Sequence, residues 1–302
     1  MSMARAGSSR RSPPAAPGVD IDAEVATTRN EGQSSPVRAV EFIRRMRGAS
    51  QPCLMRCADD ENYVVKFQNN PQHVRVLANE MLASRLALLI GLPVPDPAFV
   101  DVPRELIQGN PYLELQIGPR REPCQPGLHF GSRFPGPPSR TLVVDFLPDR
   151  LLRRVRNVDR VFMGALVFDK WTCNCDGRQV IFYRFADQEG SAYSAALIDQ
   201  GFCFNDGDWN FPDSPIRSLY PRRLVYASVR GLQSFEPFLS RVENLDAAQL
   251  EECVRGIPRE WCGGQPEQLT RLVERLYERR WRVRQALIEA RDSSLAPFPN
   301  WK

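Results

Sequence analysis

The sequence predicts an α+β protein with two lobes: a small β-rich N-terminal lobe that contains one helix, and a larger, mainly helical C-terminal lobe. The chain has 302 residues, of which 42% are hydrophobic, and this suffices for a sizeable core. Short apolar runs separated by turns dominate up to about residue 150, and helical spacing of apolar residues dominates after it. We therefore divide the chain into a tail (1–36), the β-rich lobe (37–148) and the helical lobe (149–302).

The tail is rich in Ser, Pro, Ala and Arg and contains few large apolar side chains. Such a segment buries too little apolar surface to offset the conformational entropy lost on ordering. We therefore predict that residues 1–36 are largely disordered.

The β-rich lobe begins with three apolar runs, VRAVEFIRRMRG, PCLMRC and NYVVKF, separated by GASQ and the acidic turn ADDEN. This punctuation is typical of an antiparallel meander. The next segment, HVRVLANEMLASRLALLIGLPVP, has apolar residues at helical spacing, and Gly91 and Pro93 end the predicted helix. PYLELQIG and RTLVVDFLP predict further strands, and the Pro/Gly-rich stretch between them predicts a long loop that covers or lines a site.

The helical lobe is predicted from the amphipathic run VDRVFMGALVFDKW, which breaks at TCNCDGRQ. VIFYRF and YSAALID follow, joined by the turn-prone ADQEGSA, and predict a hairpin. AAQLEECVRGI and QPEQLTRLVERLYERRWRVRQALIEARDS predict two helices, the second long and rich in arginine on its outer face.

Cysteine and histidine do not indicate a metal site. The eight cysteines are irregularly spaced, and Cys173 with Cys175 forms a CxC pair rather than the CxxC pair of zinc ribbons. The two histidines, His73 and His129, are far apart in sequence. We expect most of the thiols to be buried small hydrophobes or inert surface groups in a reducing cytosol.

The charge and hydropathy of the chain favour a protein of the cell interior. A net charge of +4 is mild, and the basic residues are not gathered with aromatic ones, so a nucleic-acid surface is not favoured. No apolar run approaches the roughly 18 residues of a membrane span, and no signal peptide is evident. We therefore expect a cytoplasmic protein without a membrane partner.

Lysine is rare in this chain, which contains Lys66, Lys170 and Lys302 beside 37 arginines. A lysine inside the apolar run YVVKF suggests a need for a compact ammonium on a flexible stem. Glu80 lies 14 residues later on the predicted helix, from which it could meet Lys66 across a cleft. The alternative is two solvated charges on the surface.

Three further stretches offer groups that could act on a phosphate. GASQP, residues 48–52, supplies backbone N–H groups between two strands, although a plain hairpin turn has the same composition. The break NCDGRQ contains Asn174, Asp176 and Gln179, and Asp199 ends the second hairpin strand. The alternative for Asp176 with Gly177 is a tight turn, and the alternative for Asp199 is a strand end marked by a polar residue and Gly201. A cation, an anion that holds it and loop carboxylates are together what γ-phosphoryl transfer requires.

The motifs also resemble a known family. GASQPCLMR with YVVKF, the Asn79–Glu80 pair, IGLPVP, FDKWTCNCDGRQ and LIDQGF occur in the order found in HipA-like kinases, a bacterial branch of the protein-kinase-like fold. The similarity extends from about residue 37 to the C-terminus. It implies a two-lobed protein-kinase-like fold that uses ATP and Mg²⁺.

The resemblance also implies a role for individual residues. It implies that Lys66 holds the α- and β-phosphates with Glu80 as its partner, that Asp176 is the catalytic aspartate of the NxDRH motif, and that Asp199 binds Mg²⁺. It implies a phosphate-binding loop formed by Gly48, Ala49, Ser50 and Gln51.

The chain departs from the family pattern at the second metal ligand. The family shows an asparagine five residues beyond the catalytic aspartate, and that position is Ile181 here. Either the loop is shortened and Gln179 takes the role, or the catalytic pair is Asp169 with Asn174, which stand five residues apart. We favour the first alternative because Asp169 falls on the predicted helix, whereas Asp176 lies in a loop that an acceptor can approach.

Three functions remain open at this point. The first is an ATP- and Mg²⁺-dependent transfer of phosphate to a serine or threonine of another protein or of the same chain. The second is a kinase of a small hydroxylated molecule, and the third is a nucleotide-binding pseudokinase or scaffold without transfer activity. For the first, nearby acceptors would be the serines of the tail, namely Ser8, Ser9, Ser12, Ser34 and Ser35.

Overall fold

The computed structural model describes residues 35–188 and 192–302. The predicted disorder of residues 1–36 therefore falls almost entirely outside the described residues. The strands within the described ranges are β1 (Val37–Arg45), β2 (Cys53–Cys57), β3 (Asn62–Lys66), β4 (Pro97–Val102), β5 (Glu114–Ile117), β6 (Arg120–Pro123), β7 (Gly127–Arg133), β8 (Thr141–Val144), β9 (Gln179–Phe185) and β10 (Ser194–Ile198).

Helices lie among and after these strands, so the mixed α+β class that the sequence predicted is confirmed. The α-helices are α1 (Val76–Leu89), α2 (Arg104–Gln108), α3 (Asp149–Leu152), α4 (Val158–Thr172), α5 (Phe238–Glu243), α6 (Ala247–Val254), α7 (Pro266–Arg279) and α8 (Val283–Arg291). Short 3₁₀ helices lie at Ala186–Gln188, Arg223–Tyr226, Leu232–Phe235, Arg259–Cys262 and Arg280–Arg282. No helix in the described ranges is both long enough and apolar enough to cross a lipid bilayer.

The strands of the first half close into a five-stranded barrel in the order β1-β2-β3-β7-β4. The first three strands form the predicted antiparallel meander, in which Cys53 lies opposite Val65. A parallel contact of β1 with β4 closes the barrel. Its interior is a separate apolar cluster that includes Met55, Val65 and Val100. The barrel gives β3, and therefore Lys66 at its end, a fixed position.

The Pro/Gly-rich stretch predicted as a loop was assigned wrongly, because it contains β6 and β7. Strand β7 occupies the barrel between β3 and β4. Its Gly131 looks like a turn signal in the sequence, yet a Cβ there would lie only 2.4 Å from Val100 Cγ2. The glycine therefore allows two strands to pack closely rather than forming a turn.

Helix α1 is buried along almost its whole length, as an apolar helix between packed layers must be. Leu82 and Leu86 belong to the same large apolar core as Phe168 and Trp171 of α4. This core is distinct from the barrel interior. The helix that carries Glu80 is thus fixed by the second half of the chain.

A second sheet has the order β10-β9-β8, and β9 with β10 is the predicted hairpin. Strand β8 lies before residue 148 but pairs with β9, with Val143 opposite Tyr183. This sheet therefore crosses the predicted boundary between the lobes, and that boundary stays a prediction.

The single long helix predicted near the C-terminus is also wrong, because α7 ends at Arg279 and α8 begins at Val283. Between them the Arg280 guanidinium donates to the carbonyls of Tyr277 and Glu243. Side-chain donation to helix carbonyls replaces part of the regular backbone pattern at a helix end. The apolar periodicity alone gives no sign of this interruption.

His129 in β7 makes the stability of the fold dependent on pH. Its ring is fully buried, Nδ1 accepts from the N–H of Gln68 at 3.1 Å, and Nε2 donates to the carbonyl of Gln125 at 2.8 Å. Burial lowers the pKa of His129 to about 4. A histidine whose folded pKa lies below its unfolded value stabilises the protein above pH 6.5, and this contribution disappears as pH falls from 6.5 towards 4.

We therefore expect the free energy of unfolding, measured in urea, to fall on acidification from pH 7 to pH 4. His129 should account for on the order of 3 kcal/mol of this decrease. The variant His129→Asn should be less stable at pH 7 but should lose less stability over the same interval. Equal losses in the two proteins would contradict this assignment.

Candidate active site

Lys66 lies at the end of β3 and is 7% exposed. Its ammonium contacts the Glu80 carboxylate of α1, and it donates to Asp199 Oδ1 at 2.7 Å. The structure therefore brings together three side chains that the sequence separates by up to 133 positions. The alternative of two solvated surface charges is not what the structure shows.

Lys66 and Asp199 each favour the charged form of the other. Burial alone would lower the pKa of Lys66, but the carboxylates of Glu80 and Asp199 outweigh it and raise the pKa to about 12. Burial also opposes ionisation of Asp199, yet the Lys66 ammonium outweighs it and the pKa of Asp199 falls below its usual range. At neutral pH, Lys66 is therefore a cation and Asp199 an anion.

Asp199 follows directly after β10 and has a left-handed backbone conformation, with φ 58°. Its other oxygen, Oδ2, accepts from the Gln179 amide at 2.9 Å. Gln179 begins β9 and lies opposite Ile198 in the hairpin register. The hairpin thus places two oxygen-bearing side chains side by side next to Lys66.

Asn79, next to Glu80 on α1, holds the loop that follows Asp199. Its amide nitrogen lies within hydrogen-bond distance of the carbonyls of Gly201 (2.7 Å), Cys203 (3.1 Å) and Asp206 (2.8 Å). Its amide oxygen accepts from the Trp209 indole at 2.7 Å. Asn79 was named from the sequence only as part of the Asn79–Glu80 pair and was assigned no role. The backbone carbonyls that it binds belong to a distant loop, and the amino-acid sequence does not show which carbonyls are buried.

Gly201 in the DQG motif allows this loop to approach α1. A Cβ at this position would lie 2.7 Å from Val76 Cγ2 and 3.2 Å from Glu80 Oε1. The preceding N–H, that of Gln200, donates to Glu80 Oε2 at 3.0 Å. Glu80 therefore contacts both Lys66 and the backbone of the Asp199 loop.

Asp169 on α4 forms a buried ion pair with Arg178, and the two side chains are 0% and 1% exposed. Arg178 Nε donates to Asp169 Oδ2 at 3.0 Å, and a second guanidinium nitrogen donates to Oδ1. Asn174 also donates to Oδ1 at 3.1 Å. Burial would lower the pKa of Arg178, but Asp169 outweighs it and raises the pKa. The Asp169 carboxylate thus faces donors on every side and has no exposed oxygen.

The same arginine connects this ion pair to the Lys66 contact. Arg178 Nη1 donates to Gln200 Oε1 at 2.8 Å and to the carbonyl of Ile198 at 3.2 Å. These two residues flank Asp199. No role was assigned to Arg178 or Gln200 from the sequence, although an aspartate on a buried helix calls for a cationic partner.

Asp176 differs from Asp169 in being exposed. Its Oδ1 accepts from the N–H of Gly177 at 2.7 Å, as in the DG turn that the sequence offered as an alternative. Its own N–H donates to Asn174 Oδ1 at 3.2 Å. The structure places Asp176 on the loop between α4 and β9, outside the lining of the Lys66 crevice.

A crevice of about 130 Å³ surrounds the Lys66 contact. Apolar side chains of β7, β8, β9 and β10 contribute to its lining. The predicted site residues that line it are Gly48, Ser50, Lys66, Glu80, Gln179 and Asp199. Ligand pockets usually measure about 300–1,000 Å³, so a nucleotide would require this crevice to widen.

Ala49 and Gln51 were predicted in the phosphate loop but do not line this crevice. The Gln51 side chain instead binds strand β5, because its amide donates to the carbonyl of Gln116 at 2.7 Å and accepts from the Gln116 N–H at 2.9 Å. Gln51 is therefore placed with the β5–β6 hairpin, and only Gly48 and Ser50 of the predicted loop face the crevice.

Comparison with known proteins shows the family of the chain. Residues 39–205, more than half of the chain, match the family model described as HipA-like kinase. No curated protein matches the sequence.

Several solved kinases share a distant similarity with the chain. The Golgi casein kinase is 13% identical over 86% of this chain and 74% of its own, with a TM-score of 0.48. The Helicobacter pylori proinflammatory kinase CtkA is 14% identical over 82% of this chain and 99% of its own, with a TM-score of 0.46. HipA of Shewanella oneidensis, in complex with HipB and operator DNA, is 13% identical over 86% of this chain and 75% of its own, with a TM-score of 0.41.

All three TM-scores lie below 0.5, so family membership depends on the sequence match. The matched region contains Lys66, Glu80, Gln179 and Asp199, which are the residues of the Lys66 contact and its neighbouring amide. The class of protein is a kinase-type phosphotransferase. The chain belongs to the HipA-like kinase family, and the resemblance found in its motifs is confirmed.

Proposed function

We propose that this kinase transfers the γ-phosphoryl group of ATP, bound with Mg²⁺ in the Lys66 crevice, to a serine or threonine hydroxyl of a protein. The observation that carries the proposal is the contact of Lys66 with both Glu80 and Asp199. It unites the phosphate-binding cation, its anionic partner and a metal-binding carboxylate, which are the groups that phosphoryl transfer requires. In this proposal, residues 37–148 bind the nucleotide and residues 149–302 supply the catalytic and metal-binding loops.

Lys66 is the group proposed to bind the α- and β-phosphates. Its ammonium is ionised at neutral pH and is oriented by Glu80, which the N–H of Gln200 orients in turn. The backbone at Gly48 and Ser50 lines the same crevice and is proposed to face the phosphates. The apolar lining that includes Phe130, Val143 and Ile181 suits a nucleobase.

Asp199 and Gln179 are the proposed Mg²⁺ ligands. Mg²⁺ commonly takes one or two protein oxygens and completes its shell with phosphate oxygens and water. The Asp199 carboxylate and the adjacent Gln179 amide fit this pattern, and no cluster of three or more His, Cys, Asp or Glu side chains suited to a metal occurs in the described ranges. When bound, Mg²⁺ would neutralise charge on the β- and γ-phosphates.

Asp176 is the proposed acceptor of the hydroxyl proton. It is exposed on a loop that a large acceptor can reach, whereas Asp169 is enclosed by Arg178 and Asn174. Proton transfer requires the carboxylate to lie within hydrogen-bond reach of the hydroxyl. The burial of Asp169 therefore favours Asp176 and gives Asp169 with Asn174 a structural role.

The test is phosphate transfer from γ-labelled ATP by the full chain, with and without Mg²⁺, followed by mass spectrometry of the kinase and of an added mixture of proteins. We expect labelled serine or threonine in the presence of Mg²⁺. Asp199→Asn should lower the rate by about 10²- to 10³-fold, because it removes charge that holds the metal at the transferring phosphate. Asp208→Asn, in the same loop but exposed, serves as the matched control.

The outcomes separate the three functions. ATP turnover without labelled protein would favour a small-molecule acceptor. Nucleotide binding without any turnover would show a pseudokinase, and equal rates for Asp199→Asn and Asp208→Asn would contradict the proposed metal site.

A further inference from the structure

Lys170 is a buried lysine for which the proposed reaction has no use. It lies on α4 next to Asp169 and is 5% exposed. Its ammonium donates to three backbone carbonyls, those of Ser214 (2.9 Å), Pro215 (3.0 Å) and Arg217 (2.8 Å). An ammonium has three N–H donors, so this set uses its whole donor capacity.

The three carbonyls belong to residues 212–218, a segment without regular structure that we call the 212–218 segment. The same segment contacts the loop between α4 and β9 at two further points. Ser218 Oγ donates to the carbonyl of Asn174 at 2.7 Å, and Cys173 Sγ donates to the carbonyl of Pro212 at 3.4 Å. The 212–218 segment is thus fixed against the loop that carries Asp176.

The outer side of the 212–218 segment faces solvent. Pro212 and Pro215 are exposed, and Ile216 exposes 51% of its surface. An exposed apolar residue on an irregular segment, next to the proposed catalytic loop, can contact a substrate that extends beyond its reacting hydroxyl.

Holding this segment with a lysine is costly. Burial lowers the pKa of Lys170 to about 8, although Asp169, Cys173, Asp213 and Glu289 act in the opposite direction. An apolar residue of similar length would avoid this desolvation but could not bind three carbonyls. Costly buried charges that fix a loop beside a reactive group are frequent at functional sites.

We propose that Lys170 is a positioning residue for the phosphate acceptor: it holds the 212–218 segment as the surface on which an extended peptide docks beside Asp176. The peptide carries an apolar side chain near its serine or threonine, and this side chain packs on Ile216 and Pro215. The inference rests on the proposed protein kinase function. It predicts that Lys170 affects use of the acceptor and leaves the nucleotide crevice intact.

The test uses a library of serine- and threonine-containing peptides with fixed Mg²⁺ and ATP, together with binding of Mg·ADP to each variant. We expect Lys170→Met to lower kcat/KM for the peptides by about 10²-fold, the cost of a misplacement of about 1 Å, while the Kd for Mg·ADP stays within about 2-fold. Lys170→Arg should not restore peptide phosphorylation, because a planar guanidinium fork cannot bind three carbonyls as an ammonium does.

Ile216→Ser keeps the buried lysine and therefore tests the surface without endangering the fold. It should raise KM for the peptides with little change in kcat or in Mg·ADP affinity. Leu295→Ser, which also replaces an exposed aliphatic side chain by serine, should alter none of these values. Wild-type protein that phosphorylates no peptide would overturn the proposed function. If Lys170→Met and Ile216→Ser both phosphorylate the peptides as the wild type does, this inference alone is overturned. A parallel loss of Mg·ADP binding in both variants would overturn it as well.

Discussion

Lys66→Met is expected to reduce phosphoryl transfer by about 10²- to 10³-fold and to weaken Mg·ATP binding, because it removes the cation proposed to hold the phosphates. The substitution also leaves the Glu80 carboxylate buried, 2% exposed, without its ion-pair partner. An uncompensated buried charge destabilises a fold, so loss of activity alone would not separate catalysis from folding.

The double variant Lys66→Met with Glu80→Gln separates the two effects. It removes both charges, and we expect it to recover much of the thermal stability lost in the single variant while remaining inactive. Recovery of transfer in the double variant would contradict the proposed role of Lys66. Lys302→Met makes the same substitution at an exposed lysine and should leave rate and stability unchanged.

Lys66→Arg tests whether charge alone is sufficient. A guanidinium keeps the positive charge, but its planar fork is larger than the ammonium that fits between Glu80 and Asp199. We expect Lys66→Arg to be folded and nearly as inactive as Lys66→Met in the same assay. Because the pKa of Lys66 is raised to about 12, no loss of wild-type activity between pH 7 and 9 should come from its deprotonation.

The sequence predicted the elements whose apolar periodicity is strong and the charges that lie inside them. The β1-β2-β3 meander, α1, α4 and the β9–β10 hairpin occur where their patterns place them. Lys66 and Glu80 were found because each is a charge within an apolar element, where a partner is needed. The resemblance to HipA-like kinases suggested the roles of these residues, which their spacing in the sequence alone does not indicate.

The sequence failed where long-range contacts decide the structure. Gly131 lies in the Pro/Gly-rich stretch that was predicted as a loop, and only the approach of Val100 from β4 explains this glycine. Asn79 binds backbone carbonyls of a distant loop, and Gln200 donates its own backbone N–H to Glu80. No residue pattern reveals such contacts. The contact of the Gln51 side chain with the neighbouring hairpin is of the same kind, and the place of Gln51 in the phosphate loop stays a prediction.

Arg178→Met is expected to lower the free energy of unfolding by about 3–5 kcal/mol, the usual effect of removing one partner from a buried ion pair. In a chain of this size the melting temperature should fall by roughly 10 °C, at about 2–4 °C per kcal/mol. Arg255→Met, which breaks the exposed ion pair with Glu252, provides the matched control and should cost at most about 1 kcal/mol. Chemical denaturation and calorimetry of both variants would measure the difference.

Combining Arg178→Met with Asp169→Leu distinguishes the structural role of this pair from its effect on the site. Well-packed apolar replacements of a buried ion pair are often neutral, so the double variant should recover most of the lost stability. It should nevertheless remain impaired in phosphate transfer, because Arg178 also binds Ile198 and Gln200, the two neighbours of Asp199. Full recovery of both properties would show that the position of Asp199 does not depend on Arg178. Recovery of stability without activity is the result expected if Arg178 holds the proposed metal ligand Asp199 in position through Ile198 and Gln200.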